Sequence, residues 1–163
     1  MITSTEVVLT PTEAKRLLSK AVLDRDEVKK ALQEGILMIH PSSTSMFMLE
    51  ELGFKMHEKG IWICGHVSPK GLCIPRIVID FRNNLPDPTR GSELYPFEYV
   101  IRKGELIPFE ESGIAAVLEQ FTINDVYVKG VNAIDPAGKL GILMAGSTGG
   151  SVGQVLKRQK KVN

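Results

Sequence analysis

Two stretches of this sequence concentrate side chains able to do chemistry. In the first, His40 and the run Pro41-Ser42-Ser43-Thr44-Ser45 follow the apolar Gly35-Ile36-Leu37-Met38-Ile39. In the second, Gly146-Ser147-Thr148-Gly149-Gly150-Ser151 follows Gly141-Ile142-Leu143-Met144. Both copies open with Gly-Ile-Leu-Met. A loop of small residues between a strand and a helix leaves backbone N–H groups and hydroxyls at the positive end of the helix, which suits a phosphate or a carboxylate. Ser42, Ser43, Thr44, Ser147, Thr148, Gly149 and Gly150 are therefore candidate ligand-binding residues. The competing reading makes Ser42, Ser43 and Thr44 helix caps and the glycines a tight strand-to-helix connection. The second loop is not a P-loop, because no Lys followed by Ser or Thr closes it, and it lacks the Gly-x-Gly-x-x-Gly of a dinucleotide site.

Lys129 and Asn132 stand where the strand Asp125 to Lys129 ends, the usual edge for a ligand in an open α/β sheet. They join the candidate set, with a solvated strand-end lysine as the plainer account of Lys129. Asp80 closes another expected strand and is the best placed acid. Asp135 reads as a turn residue bonded to its own backbone. Cys64, His66 and Cys73, with His40 and His57, do not form the paired ligand spacing of a structural zinc site, so no metal and no cofactor is expected. Two small buried thiols are the favoured reading of the cysteines, and His40, at the end of a buried strand, is the histidine to watch.

These loops need elements to hold them. Thr10-Pro11-Thr12-Glu13 has the form of a capping box with Pro at the first helical position. Ala14, Leu17, Leu18, Ala21 and Val22 follow at helical spacing, and Asp24-Arg25-Asp26-Glu27 opens a second helix that buries Val28, Ala31 and Leu32 and ends at Gly35. Ile36 to Ile39 is apolar on both faces, which places it as a covered, central strand, usually parallel. A helix through Met46, Phe47, Leu49 and Leu52 follows. Ile61 to Val67 and Pro75 to Asp80 read as strands, and Asn83 to Ser92 as a loop. Phe97 to Ile107 breaks at Lys103-Gly104 and reads as an antiparallel hairpin. A helix from Glu110 to Phe121, the strand Asp125 to Lys129, the turn Asp135-Pro136-Ala137-Gly138 and the final strand, loop and helix complete the chain.

The totals set bounds. A chain of 163 residues with 43% hydrophobic and 24% charged residues fits one globular domain, and neither disorder nor a fibrous class. The net charge of +1 argues against a nucleic-acid partner. The start Met1-Ile2-Thr3-Ser4-Thr5-Glu6 lacks a leader, and no apolar run reaches the length of a membrane span. A cytoplasmic protein with reduced thiols and no membrane partner is expected.

The segment Asp125-Val126-Tyr127-Val128-Lys129-Gly130-Val131-Asn132-Ala133-Ile134-Asp135-Pro136-Ala137-Gly138-Lys139-Leu140, leading into the Gly-rich loop, resembles the superfamily of ribose-5-phosphate isomerase, glucosamine-6-phosphate deaminase, CoA transferases and the regulatory subunits of a translation-factor exchange complex. Pro41-Ser42-Ser43-Thr44-Ser45 is similar to the loop that opens the first strand-helix unit in the sugar-phosphate members. The departures bear on chemistry. Lys129-Gly130-Val131-Asn132 stands where the isomerase carries two acids, and Gln154-Val155-Leu156-Lys157-Arg158 holds no general-base Glu. The resemblance implies the fold and the anion loops, not the catalysis.

The fold expected from all this is α/β: a three-layer, mainly parallel sheet with helices on both faces and a small antiparallel hairpin. One α/β domain spans 1–163, with 1–34 as a helical segment packed on it. The function expected is binding of a phosphorylated or anionic metabolite, with isomerase or transferase chemistry left open. The alternative is a non-catalytic regulatory or interaction subunit that retains the fold. A homodimer is expected, and an exposed apolar patch of Tyr95, Pro96, Phe97 and Tyr99 would support an interface.

Overall fold

A computed structural model of the chain describes residues 3–54, 98–107, 113–144 and 148–162. The strands Ile61 to Val67 and Pro75 to Asp80, the loop Asn83 to Ser92, and Asp80, His57, Cys64, His66, Cys73 and Ser147 lie outside these residues.

Helix α1 (Pro11–Leu23) starts at the Thr10 capping box: the Glu13 N–H donates to Thr10 Oγ1 at 3.3 Å, and Glu13 Oε2 accepts the Thr10 N–H at 2.7 Å. Its inward face differs from the expected one. Leu17 and Leu18 are 58% and 56% exposed, whereas Ser19 is wholly buried and Val22 and Leu23 pack on the core. Helix α2 (Asp26–Glu34) buries Val28 and Ala31 and ends at Gly35. Strand β1 (Ile36–Ile39) is buried along its length, and α3 (Ser45–Glu51) follows it. The hairpin of β2 (Tyr99–Arg102) and β3 (Glu105–Ile107) comes next, then α4 (Gly113–Glu119) and β4 (Val126–Val128). Strands β5 (Ala133–Ile134) and β6 (Leu140–Gly141) precede α5 (Gly150–Val162).

The sheet corrects the expected three-layer, mainly parallel arrangement. Among the described residues its order is β3-β2-β1-β4, and only β1 and β4 run parallel, with Leu37, Met38 and Ile39 opposite Val126, Tyr127 and Val128. Strand β2 is antiparallel to β1, with Ile39 opposite Tyr99, and β3 is antiparallel to β2. The physical reason is that an apolar run records that a strand is covered on both faces and carries no information about the direction of its neighbours. Alternate residues of β1 feed two clusters. Leu37 and Ile39 pack with Val28, Ala31, Met48, Leu49, Tyr99 and Ile101, and Ile36 and Met38 pack with Val100, Val117, Leu118 and Phe121.

The last expected strand is also corrected. The Asp135 carboxylate accepts the Lys139 N–H at 2.8 Å, and Gly138 adopts a left-handed φ of 79°. This tight turn folds Leu140 and Gly141 back on Ile134 and Ala133, so β5 and β6 form a separate two-stranded ladder. Short-range closure wins over a crossover to the main sheet, and Leu143 and Met144 are left half exposed.

Candidate functional site

The carboxyl edge of β1 and β4 gathers the groups best able to act on a ligand. The β1–β4 ladder runs one residue beyond Ile39, where the His40 N–H donates to the Val128 carbonyl at 2.9 Å. Pairing of Ile39 with Tyr99 sets Glu98 beside His40 on the antiparallel side, and the imidazole Nδ1 lies 2.8 Å from Glu98 Oε1. From β4, the Tyr127 hydroxyl donates to the same oxygen at 3.3 Å. The Tyr127 ring stands edge-on to the imidazole, with centroids 6.4 Å apart. Three strands therefore each supply one member of a His40, Glu98 and Tyr127 cluster.

Burial grades this cluster. The Glu98 side chain is wholly buried and that of His40 is 12% exposed, so the imidazole lies on the solvent side of the carboxyl group. Glu98 Oε1 takes both contacts, while Oε2 is buried and has no hydrogen-bond partner among the described residues. An unmet buried acceptor of this kind costs about 1–3 kcal/mol, and more for a charged group, so stability alone does not account for it.

The loop after His40 is held from within and from behind. The Ser45 hydroxyl donates to the His40 carbonyl at 2.7 Å, and the Ser45 N–H donates to Ser42 Oγ at 3.0 Å. Behind it, buried Ser19 of α1 donates to the Thr44 carbonyl at 2.9 Å. The Arg16 guanidinium lies 4.4 Å from the centre of the Phe47 ring and pairs with Glu50 at 3.1 Å. These contacts fix α1 across the start of α3 and hold the loop in place.

The sequence-derived candidates divide accordingly. Ser42, Ser43 and Thr44 follow directly on His40 at this edge. Ser42 acts as a local cap, Ser43 is exposed, and the Thr44 side chain makes no capping bond. Half-buried Lys129 follows Val128, whose carbonyl holds the His40 N–H, and so belongs to the same edge. Asn132 has a different role: its N–H donates to the Gly141 carbonyl and its Oδ1 accepts the Leu143 N–H, both at 2.9 Å, which clasps the base of the β5–β6 ladder. Thr148, Gly149 and Gly150 lead into α5, with left-handed φ values of 75° and 63° at the two glycines. The Thr148 carbonyl lies where a Cβ on Gly153 would stand.

The Asn132 clasp also locates the start of α5. It returns the chain to the end of β4, and the Met144 sulfur lies 3.6 Å from the position of a Cβ on Gly149. At the far end, Arg158 donates to the Glu119 and Phe121 carbonyls at the close of α4, near the opposite end of the sheet. Helix α5 thus packs through Val155 on the face that carries Met38 and Val100.

Glu98 and Tyr127 were not singled out in the sequence. Glu98 sits inside a hairpin, 58 residues from His40, and the only cue was an acid next to the apolar residues of a strand. Tyr99, placed in an exposed patch by sequence, is instead buried in the core, and burial pushes its phenol up. Among the described residues no three or more His, Cys, Asp or Glu side chains stand together in a way that could hold a metal ion, and no helix is long and apolar enough to cross a membrane. No family model, curated protein or solved structure matches this chain.

Proposed function

We propose that the protein binds a phosphorylated or otherwise anionic small metabolite at the carboxyl edge of β1 and β4. The observation that carries this reading is the polar edge where half-buried Lys129 and the loop Ser42 to Thr44 follow directly on the parallel ends of β4 and β1, where an open α/β sheet takes its ligands. Support for an anion comes from Lys129 at the same edge, and the N–H groups and dipole at the start of α5 favour negative charge there. The resemblance to the isomerase, deaminase and CoA-transferase superfamily agrees with this use of polar loops after strands, and we extend it to the loops alone.

The second reading is a non-catalytic interaction subunit that forms a homodimer. It is favoured by the exposed apolar side chains of the β5–β6 region, where Ile134, Leu140 and Leu143 are each more than half exposed.

A thermal-shift series on the purified protein separates the two. The probes are inorganic phosphate, a sugar phosphate, a nucleotide and a CoA ester, with a Lys129→Ala variant alongside. A ligand at about 100 times its Kd adds about 2.7 kcal/mol, which raises Tm by several degrees. Stabilisation by one class, reduced in Lys129→Ala, is the expected result. If no class shifts Tm and light scattering gives the mass of a dimer, the anion reading fails and the interaction subunit replaces it.

A further inference from the structure

We propose that the outward face of α1 is an interaction surface for a second copy of this chain, with the two α1 helices packed antiparallel about a two-fold axis. The inference does not rest on the anion site, and it concerns a different face from the β5–β6 region.

Helix α1 is turned the opposite way from an ordinary surface helix. Its polar side faces the protein: buried Ser19 donates to the Thr44 carbonyl, Arg16 stands on the Phe47 ring and pairs with Glu50, and Lys20 Nζ lies 3.7 Å from Glu51. At about 100° of rotation per residue, Ala14, Leu17, Leu18 and Ala21 fall together on the side away from Ser19. There Leu17, Leu18 and Ala21 are exposed and Ala14 is half-buried. Such an apolar stripe normally faces a core.

The stripe is its own complement. Ala14, Leu17, Leu18 and Ala21 read the same in both directions about the midpoint between the two leucines. A second α1 laid antiparallel across that midpoint sets Leu17 beside Leu17, Leu18 beside Leu18, and each Ala14 against Ala21 of the other copy. The alanines let the helix axes come close, and the leucines fill the space between. Glu13 and Lys20 are seven residues apart and share one flank of the stripe, so the antiparallel arrangement brings Glu13 of each copy to Lys20 of the other. Opposite charges thus meet twice, as a two-fold interface demands of a surface that must match itself. A foreign helix requires none of this symmetry, which favours the second copy as the occupant.

Size sets the strength. With 13 residues α1 is about 20 Å long, and one face of it falls well short of the roughly 800 Å² per partner of a standard interface. The arm before it adds apolar surface: Val7 and Val8 are 70% and 88% exposed, and in the antiparallel pair each arm runs toward the C-terminal end of the other α1. The dimer is therefore weak and reversible, with monomer prevailing at low concentration.

Sedimentation equilibrium of the full chain, from low micromolar concentration upward, tests the proposal. The wild type is expected to pass from the mass of one chain toward that of two. Leu18→Glu, a change at an exposed position, sets like charges side by side at the two-fold axis and should raise the dimer Kd by about tenfold or more, with the circular dichroism of the wild type retained. Leu18→Cys leaves the stripe without added charge, and a short bismaleimide should link it into dimers at a yield above that of the wild type, whose own Cys64 and Cys73 set the baseline, and above that of Ile134→Cys in the β5–β6 ladder. The proposal is overturned if the wild type stays a monomer at every concentration. It is also overturned if a dimer forms that Leu18→Glu leaves intact, and loss of that dimer in Ile134→Glu would then assign the contact to β5–β6. Anion binding is read separately by Tm, so a monomer with a phosphate-dependent shift removes this interface and keeps the site, whereas a dimer lost in Leu18→Glu with no shift from any anion keeps the interface and removes the site.

Discussion

Tyr99 and Glu98 are consecutive residues whose side chains leave the chain on opposite sides of the sheet, one into the first core cluster and the other to His40 and Tyr127. Tyr99 packs with Leu37 and Ile39, and burial pushes its phenol above the ordinary value near 10. The unfolded chain gives up that proton above about pH 10, whereas the folded chain keeps it, so the folded state binds more protons there and loses stability as pH rises. The urea midpoint should therefore be flat from pH 8 to about pH 9.5 and fall beyond it, and Tyr99→Phe should remove most of the fall. A wild-type midpoint that does not move between pH 9 and pH 11 would contradict the assignment. Glu98 shows the complementary limit of sequence reading. An acid one residue from a buried tyrosine on a hairpin looks like an edge-strand charge. Its place beside His40 follows only from the register that sets Ile39 against Tyr99, and that pairing is not written in either segment alone.

Elements whose start and stop are coded locally were legible. The capping box at Thr10, the apolar β1 run and the Lys103-Gly104 turn each form where the residues indicate, the last with φ of 50° and 82° at its two positions. Strand direction was not legible in β1, for the reason its cover gives, and the apolar Gly141 to Met144 run was read as a core strand although the Asp135 turn captures it first. One junction shows how closely the elements fit. Asp125, in the turn before β4, accepts the Ile36 N–H at 2.6 Å and the Thr122 N–H at 2.6 Å, and so ties the start of β1 to the end of α4. A Cβ on Gly35 would stand 2.5 Å from Asp125 Oδ1 and 3.3 Å from the Asn124 carbonyl. Gly35→Ala, which by chain entropy alone would stabilise by about 0.4–1 kcal/mol, is therefore expected to destabilise, because Asp125 must move. The loss should be about 1.5–3 kcal/mol, the range for breaking a hydrogen bond to a charged group. A urea melt decides the sign, and a more stable Gly35→Ala would mean that the turn can yield.

At the scale of the whole molecule, α5 is a helix fixed at its far end. The β5–β6 excursion leaves the sheet and returns through Asn132, so the register of the main strands does not position α5. Its hold on the fold comes from the α4 contact, from Val155 in the second cluster, and from Arg158 Nη2, which donates to two carbonyls at the close of α4. Those carbonyls are the negative end of α4, where a cation is favoured, and one guanidinium reaches both at 2.9 Å. Both bonds leave the one nitrogen Nη2, and a lysine side chain is one bond too short to put its ammonium at that point. Arg158→Lys should therefore recover only part of what Arg158→Ala loses, with the alanine change costing about 1.5–3 kcal/mol in a urea melt. Because Arg158 lies eight helical positions beyond Gly150, roughly 12 Å along the axis, neither change touches the His40 edge directly. If α5 is held as a rigid strut, the loss of its anchor should weaken the phosphate-class Tm shift of the folded variant as well as its stability. An Arg158→Ala protein that is less stable but keeps the full ligand shift would show that the start of α5 is fixed by Asn132 and Met144 alone, and that the strut serves the core rather than the site.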